Sequence, residues 1–208
     1  MRLRRFDAVT RVVHWSTAVL TLVLVATGTV LYVGQLSAAV GRRALLASIH
    51  VWCGVLLPIP VLVGIALGRA GRNLRADLHE LGWWSRADRR WLRASTRATP
   101  AGKYNGGQKL ATALFGGFLL AQLVTGSLMH WNEPFSDEWR TGATFVHDWV
   151  YLGLTVLVAG HIVRAAREPE LLSAMTTGAV PLGWAERERP GWANRELRDG
   201  GPAIERHL

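Results

Sequence analysis

Four stretches of this chain carry almost no charge, and they decide the solvent in which it folds. Residues 12–33, 44–67 and 110–129 contain no acidic or basic side chain other than histidine, and residues 147–163 contain only Asp148. At 1.5 Å of rise per helical residue, runs of about 20 residues cross roughly 30 Å of hydrocarbon. In lipid the backbone must satisfy its own hydrogen bonds, so each run reads as a helix. A soluble helical bundle would leave these runs without a water-facing side. The sequence therefore predicts an all-α integral membrane four-helix bundle, with helices near 12–33, 44–67, 107–130 and 144–166. They form one domain over 1–168, with a loop at 68–106 and a tail at 169–208.

Arginine placement gives the orientation. Of 24 basic residues, 22 are Arg. Twenty-one of the 24 fall before helix 1, between helices 2 and 3, or after helix 4, and only Arg42, Arg43 and Arg140 lie on the other side. The positive-inside rule then puts both termini and the long middle loop in the cytoplasm. The same placement accounts for the net charge of +9 without nucleic acid as a partner. Trp15, Trp52, Trp131, Trp139 and Trp149 fall where an aromatic belt should. The opening Met-Arg-Leu-Arg-Arg looks like the start of a signal peptide, but the apolar run is too long for one and no cleavage motif follows, so it reads as a retained helix. The expected location is the cell membrane, crossed several times. The middle loop has room for short interfacial helices around residues 78–91, and the tail from Pro190 reads as poorly ordered. Cys53 has no second cysteine to pair with, and no CxxCH marks covalent haem.

Seven histidines remain. His79 and His207 read as solvated surface. His14, His50, His130, His147 and His161 sit at membrane depth, where an ionisable side chain marks function by default. His147 and His161 are fourteen residues apart, about 40° short of four full turns and about 21 Å along one helix face. With the orientation from the arginines, His50 shares the outer level with His147, and His14 shares the inner level with His161. Two imidazoles at each of two levels suit two stacked b-type haems. His130, also at the outer level, is an alternative ligand or an interfacial residue beside Trp131. A haem-free transporter with hydrogen-bonded histidines is the competing reading. Gly28, Gly54, Gly116, Gly117, Gly126, Gly153 and Gly160 favour haem, because a flat macrocycle between helices needs residues without bulk. Close helix packing uses small residues as well.

Before helix 3 the run Lys103-Tyr104-Asn105-Gly106-Gly107-Gln108-Lys109 gathers hydrogen-bond donors at the inner level. Read alone it is a glycine turn with polar caps; donors there would also suit the carbonyls of a quinone.

These pieces together resemble the membrane cytochrome b (gamma) subunit of respiratory formate dehydrogenases. The resemblance covers almost the whole chain. It runs through Arg5-Phe6, Arg11-x-x-His14-Trp15, Thr27-Gly28, His50, the Lys103–Lys109 run, Thr125-Gly126, His147 and His161, then Met175-x-x-Gly178-x-Val180, Trp184-Ala185 and Pro190-x-Trp192. It implies two haem b groups held by His14, His50, His147 and His161, and a quinone site that includes Asn105, Gly107, Gln108 and Lys109. Arg11 and Arg164 are candidates to meet the haem propionates near the inner level. Electrons would enter from an outer iron–sulfur subunit, behind which stands a molybdopterin catalytic subunit, and leave to membrane quinone at the cytoplasmic side. No formate-oxidising centre is present in this chain, so that activity would belong to partners. A hydrogenase or thiosulfate reductase cytochrome b would share the same chemistry with another donor. A higher-order oligomer is compatible with all of this.

Overall fold

The computed structural model describes residues 1–93, 102–131, 133 and 135–198. His207 lies outside them. Along the chain come β1 (Arg2–Arg4), α1 (Ala8–Tyr32), α2 (Gly34–Val40), α3 (Arg43–Leu56), α4 (Ile59–Ala66), α5 (Arg72–Gly82) and α6 (Arg86–Arg93). Then follow α7 (Gly106–His130), α8 (Asp137–Ala166), α9 (Pro169–Thr177), β2 (Ala179–Pro181), α10 (Leu182–Glu188) and α11 (Pro190–Arg198). Four helical segments are long and apolar enough to cross a membrane: α1, α3 with α4, α7 and α8. The protein is an all-α membrane helical bundle.

Two of these segments differ from their hydropathy outlines. The second is broken at residues 57–58, where the Leu57 N–H turns back to the Gly54 carbonyl at 3.3 Å. Pro58 has no N–H to give the ladder, so the helix must restart after it. The fourth begins at Asp137, before the start at 144 read from hydropathy. Its first turn carries Asp137 and Glu138, which favour the positive helix N-terminus although they are unsuited to hydrocarbon.

The chain divides into two compact units. The first comprises Met1–Arg11, Gly64–Leu114 and His161–Leu208. Its centre is a two-stranded antiparallel ribbon in which Leu3 faces Val180. Around it pack Phe6, Tyr104, Ala174, Trp184, Ala185, Trp192 and Ala193. The tail is therefore ordered through Arg198. Burial of Trp192 and Ala193 in this core outweighs the polar, proline-containing sequence that reads as disorder. Gly178 ends α9 at φ 91°, and a Cβ there would lie 2.7 Å from the Phe6 carbonyl oxygen. Only glycine meets both demands. Its own carbonyl accepts from the Arg5 and Phe6 amides at 2.7 and 3.0 Å, which fixes the N-terminal segment.

Arg5 is buried in this unit. Its guanidinium lies 5.2–5.9 Å from the ring centres of Phe6, Tyr104, Trp184 and Trp192, and Nη2 donates to the Lys103 carbonyl at 2.6 Å. Burial brings its pKa down to about 10, so it stays charged at neutral pH. Cation–π attraction from four rings offsets part of that desolvation.

The second unit comprises Val12–Val63 and Phe115–Gly160. It holds most of the length of the four apolar segments. Threonines and serines within them hydrogen-bond back to carbonyls one turn earlier, as Thr21 does to Thr17 and Ser127 to Leu123. Such bonds keep hydroxyls satisfied where no water is present.

Candidate functional site

Within the second unit α3 carries His50 and α8 carries His147. Their ring centres are 6.3 Å apart, with the planes inclined at 67°. Each ring is held in the same way. On α1 the Thr27 hydroxyl donates to the Val23 carbonyl at 2.7 Å, and its oxygen lies 2.9 Å from His50 Nδ1. On α7 the Thr125 hydroxyl donates to the Ala121 carbonyl at 2.7 Å, and its oxygen lies 2.9 Å from His147 Nδ1. A hydroxyl has one hydrogen, and the helix takes it. The oxygen is left to accept, which favours the proton on Nδ1; at His147 the side-chain amide of Gln122 also reaches Nδ1, at 3.1 Å.

The residue after each threonine is glycine. A Cβ on Gly28 would come 3.3 Å from His50 Cε1, and one on Gly126 would come 3.3 Å from His147 Cε1. Bare Cα positions thus let both imidazoles lie against helix backbone. Tyr151, one turn beyond His147 on α8, packs on Gly28 and shares a 2.7 Å hydrogen bond with Thr29.

This donor set fits a b-type haem. Two neutral imidazoles, each with a free Nε2, are the usual axial pair for low-spin haem iron. The two rings lie 6.3 Å apart, within reach of one bound group. Elsewhere in the helices, a Cβ on Gly116, Gly117 or Gly160 would meet nothing within 4 Å, whereas one on Gly153 would press on the Phe118 ring at 3.0 Å and one on Gly54 would touch Leu24 at 3.9 Å.

His14 and His161 lie on α1 and α8. His14 is half-buried on α1, its ring edge-on to Trp15. His161 is on α8, fourteen residues beyond His147 and on the same face. His130 ends α7 beside Trp131, its ring centre 4.9 Å from the indole. His79 stacks on Trp83 in α5 and its C-cap. Cys53 is free and half-buried.

The Lys103–Lys109 run is heavily bonded within the first unit. Asn105 caps α7: its side-chain oxygen accepts from the Gln108 amide at 2.8 Å, and Gln108 Oε1 accepts from the Asn105 amide at 3.1 Å. This is a reciprocal capping box. Ser85 and Asp88 build a second one at α6, with the Ser85 amide and hydroxyl donating to Asp88 Oδ2. Lys109 Nζ joins the two by donating to Asp88 Oδ2 at 2.8 Å and to the Trp83 carbonyl at 2.9 Å. Burial alone would raise the Asp88 pKa, but the bonds from Lys109 and Ser85 prevail and hold it below the usual carboxylate value. Gly106 and Gly107 let α7 start against α6, since Cβ atoms there would sit 2.6 Å from the Asp88 carbonyl oxygen and 2.8 Å from the Trp91 ring. Lys103 Nζ pairs with Asp77 at 2.5 Å, and burial works against both charges, raising the acid and lowering the amine. Arg11 donates to the Thr176 carbonyl at 2.5 Å, at the open end of α9, and Arg164 pairs with Glu168.

In the sequence Thr27 and Thr125 carry no role beyond the resemblance. The available signal was the repeated Thr-Gly pair in the first and third apolar runs.

A family model for prokaryotic cytochrome b561 matches residues 5–178, most of the chain. The chain belongs to that family. It is a multi-pass membrane protein, a cytochrome b that carries haem b in electron transfer. A search of curated proteins found no match.

Proposed function

We propose that this member of the prokaryotic cytochrome b561 family is the di-haem membrane subunit of a formate dehydrogenase-type complex. In this reading it passes electrons from an extracytoplasmic iron–sulfur partner to quinone at the cytoplasmic side. The observation that carries the reading is the His50/His147 pair, two imidazoles 6.3 Å apart within the apolar helices, each with its Nδ1 against a threonine hydroxyl. Bound haem supplies reversible one-electron chemistry at each level. His50 and His147 hold the outer group, and His14 and His161 hold the inner one. The step of about 21 Å between His147 and His161 along α8 sets the spacing of the two levels. Arg11 and Arg164 offer positive charge near the inner level for propionates.

Quinone is the substrate. Asn105, Gly107, Gln108 and Lys109 form its binding loop, with α6 held against the start of α7 as its wall. Quinol formation takes up protons on the side where the arginines place the loop, and oxidation of the donor outside would then add to the membrane potential. The formate link rests on the resemblance in the Lys103–Lys109 run and the spacing of His147 and His161.

The test uses purified full-length protein with its haems reduced. A short-chain quinone should reoxidise both haems within the mixing experiment. Asn105→Ala and Gly107→Ala should slow that reoxidation at least tenfold while leaving haem content unchanged. Unchanged rates in both variants would remove the loop from the quinone site.

A further inference from the structure

We infer that Thr27 and Thr125 are positioning residues for the axial imidazoles, and that their hydroxyl oxygens set the reduction potential of the haem held by His50 and His147. The inference rests on the haem reading above. It deepens that reading by assigning work to two side chains that touch neither iron nor quinone.

The geometry gives a direction. Each hydroxyl donates its hydrogen to a carbonyl one turn earlier, at 2.7 Å, which leaves its oxygen to accept from Nδ1, at 2.9 Å; at His147 the Gln122 amide also reaches Nδ1, at 3.1 Å. Both threonines are buried, at 8% and 7% exposure, so water does not compete for that proton. In low-dielectric surroundings such a bond polarises the ring strongly. An imidazole that donates from Nδ1 is a better electron donor at Nε2, and a more basic axial ligand favours ferric over ferrous iron. The threonines therefore hold this haem at a lower potential than unassisted histidines would.

The construction appears twice, on α1 and on α7, with the same Nδ1 distance, the same back-bond and the same following glycine. One copy could be helix chemistry alone, because threonines in apolar helices commonly back-bond. Two copies, each ending on one member of a facing histidine pair, point to the histidines.

The test is a redox titration of purified, haem-loaded protein, followed in the haem absorption bands. It compares wild type, Thr27→Val, Thr125→Val, the double variant, and Thr27→Ser and Thr125→Ser. Valine keeps the shape and removes the acceptor; serine keeps the acceptor and removes the methyl. Each valine variant should raise the potential of one haem by about 59 mV, a tenfold shift in the ferric/ferrous ratio at fixed poise. The double variant should shift it further, the second haem should not move, and the serine variants should match wild type. A valine variant that loses haem where its serine counterpart keeps it also supports the inference. Retained haem with an unmoved potential in both valine variants overturns it, and so do serine variants that behave like valine. A wild-type protein without haem would overturn the haem reading itself, and this inference with it.

Discussion

His50 and His147 face one another with ring centres 6.3 Å apart, and each presents its Nδ1 to a threonine whose own proton is already used. That relationship turns two histidines in an apolar bundle into a matched pair of Lewis bases.

Replacing either member of the pair should remove one haem and leave the other. His50→Ala and His147→Ala should each lower the haem-to-protein ratio from two to one by pyridine haemochrome assay, with membrane insertion retained. His14→Ala and His161→Ala should do the same at the other level. Full haem content in His147→Ala would contradict the pairing.

Adding a methyl group at Gly28 or Gly126 should displace an imidazole. The new Cβ would stand 3.3 Å from Cε1 of His50 or His147, closer than ordinary contact. Disturbing the groups that orient a metal ligand costs about 10–100-fold in metal-site affinity. Gly28→Ala and Gly126→Ala should thus release haem more readily to apomyoglobin, whereas Gly116→Ala, with open space around it, should not.

Acid should loosen α6 from the start of α7. The Asp88 pKa is below its ordinary 3.8 in the folded protein, so the stability it contributes is present above pH 3.8 and is lost as pH falls through the lower, folded value. Hydrogen exchange at residues 85–93 should accelerate below that pH. Asp88→Asn should show fast exchange at neutral pH and little further change on acidification. Equal protection in wild type and variant across the range would mean that the Lys109 bond is not what holds α6.

Arg5→Ala should destabilise the first unit by about 3 kcal/mol, because it empties a buried site packed by four rings and frees the Lys103 carbonyl. Arg5→Lys should recover little, since an ammonium cannot present a flat face to several rings. Thermal unfolding in detergent, followed by tryptophan fluorescence, would show the loss, and an unchanged midpoint would contradict it.

The membrane helices were legible because hydrocarbon imposes a simple demand: about 20 uncharged residues in a row. The His50/His147 pair was legible because helix periodicity and arginine counting act independently and agree. The break at Pro58 and the early start at Asp137 were not, since hydropathy averages over residues that cap or kink. The ribbon was invisible for a different reason: Arg2 pairs with Pro181 from the opposite end of the chain, and neither segment has a local strand pattern. Arg5 read as one more inside-facing cation, yet it lies under four rings, because Trp184 and Trp192 come from a tail whose composition suggested disorder. The Lys103–Lys109 run read as a set of donors for a ligand. It reads equally as a glycine turn with polar caps, and Asn105, Gln108 and Lys109 do close capping boxes and an ion pair; sequence alone cannot say which side chains a helix start will engage. Thr27 and Thr125 carry no signal singly, since threonine is common in membrane helices; their meaning appears only when each is found against a histidine.

The most direct measurement is the absorption spectrum of the purified protein, oxidised and dithionite-reduced, with haem quantified against protein. Two haems b per chain are expected, with the low-spin bands of bis-imidazole ligation. A colourless protein, or one whose haem stays high-spin, would contradict it and return His50 and His147 to hydrogen-bonded side chains of a haem-free bundle.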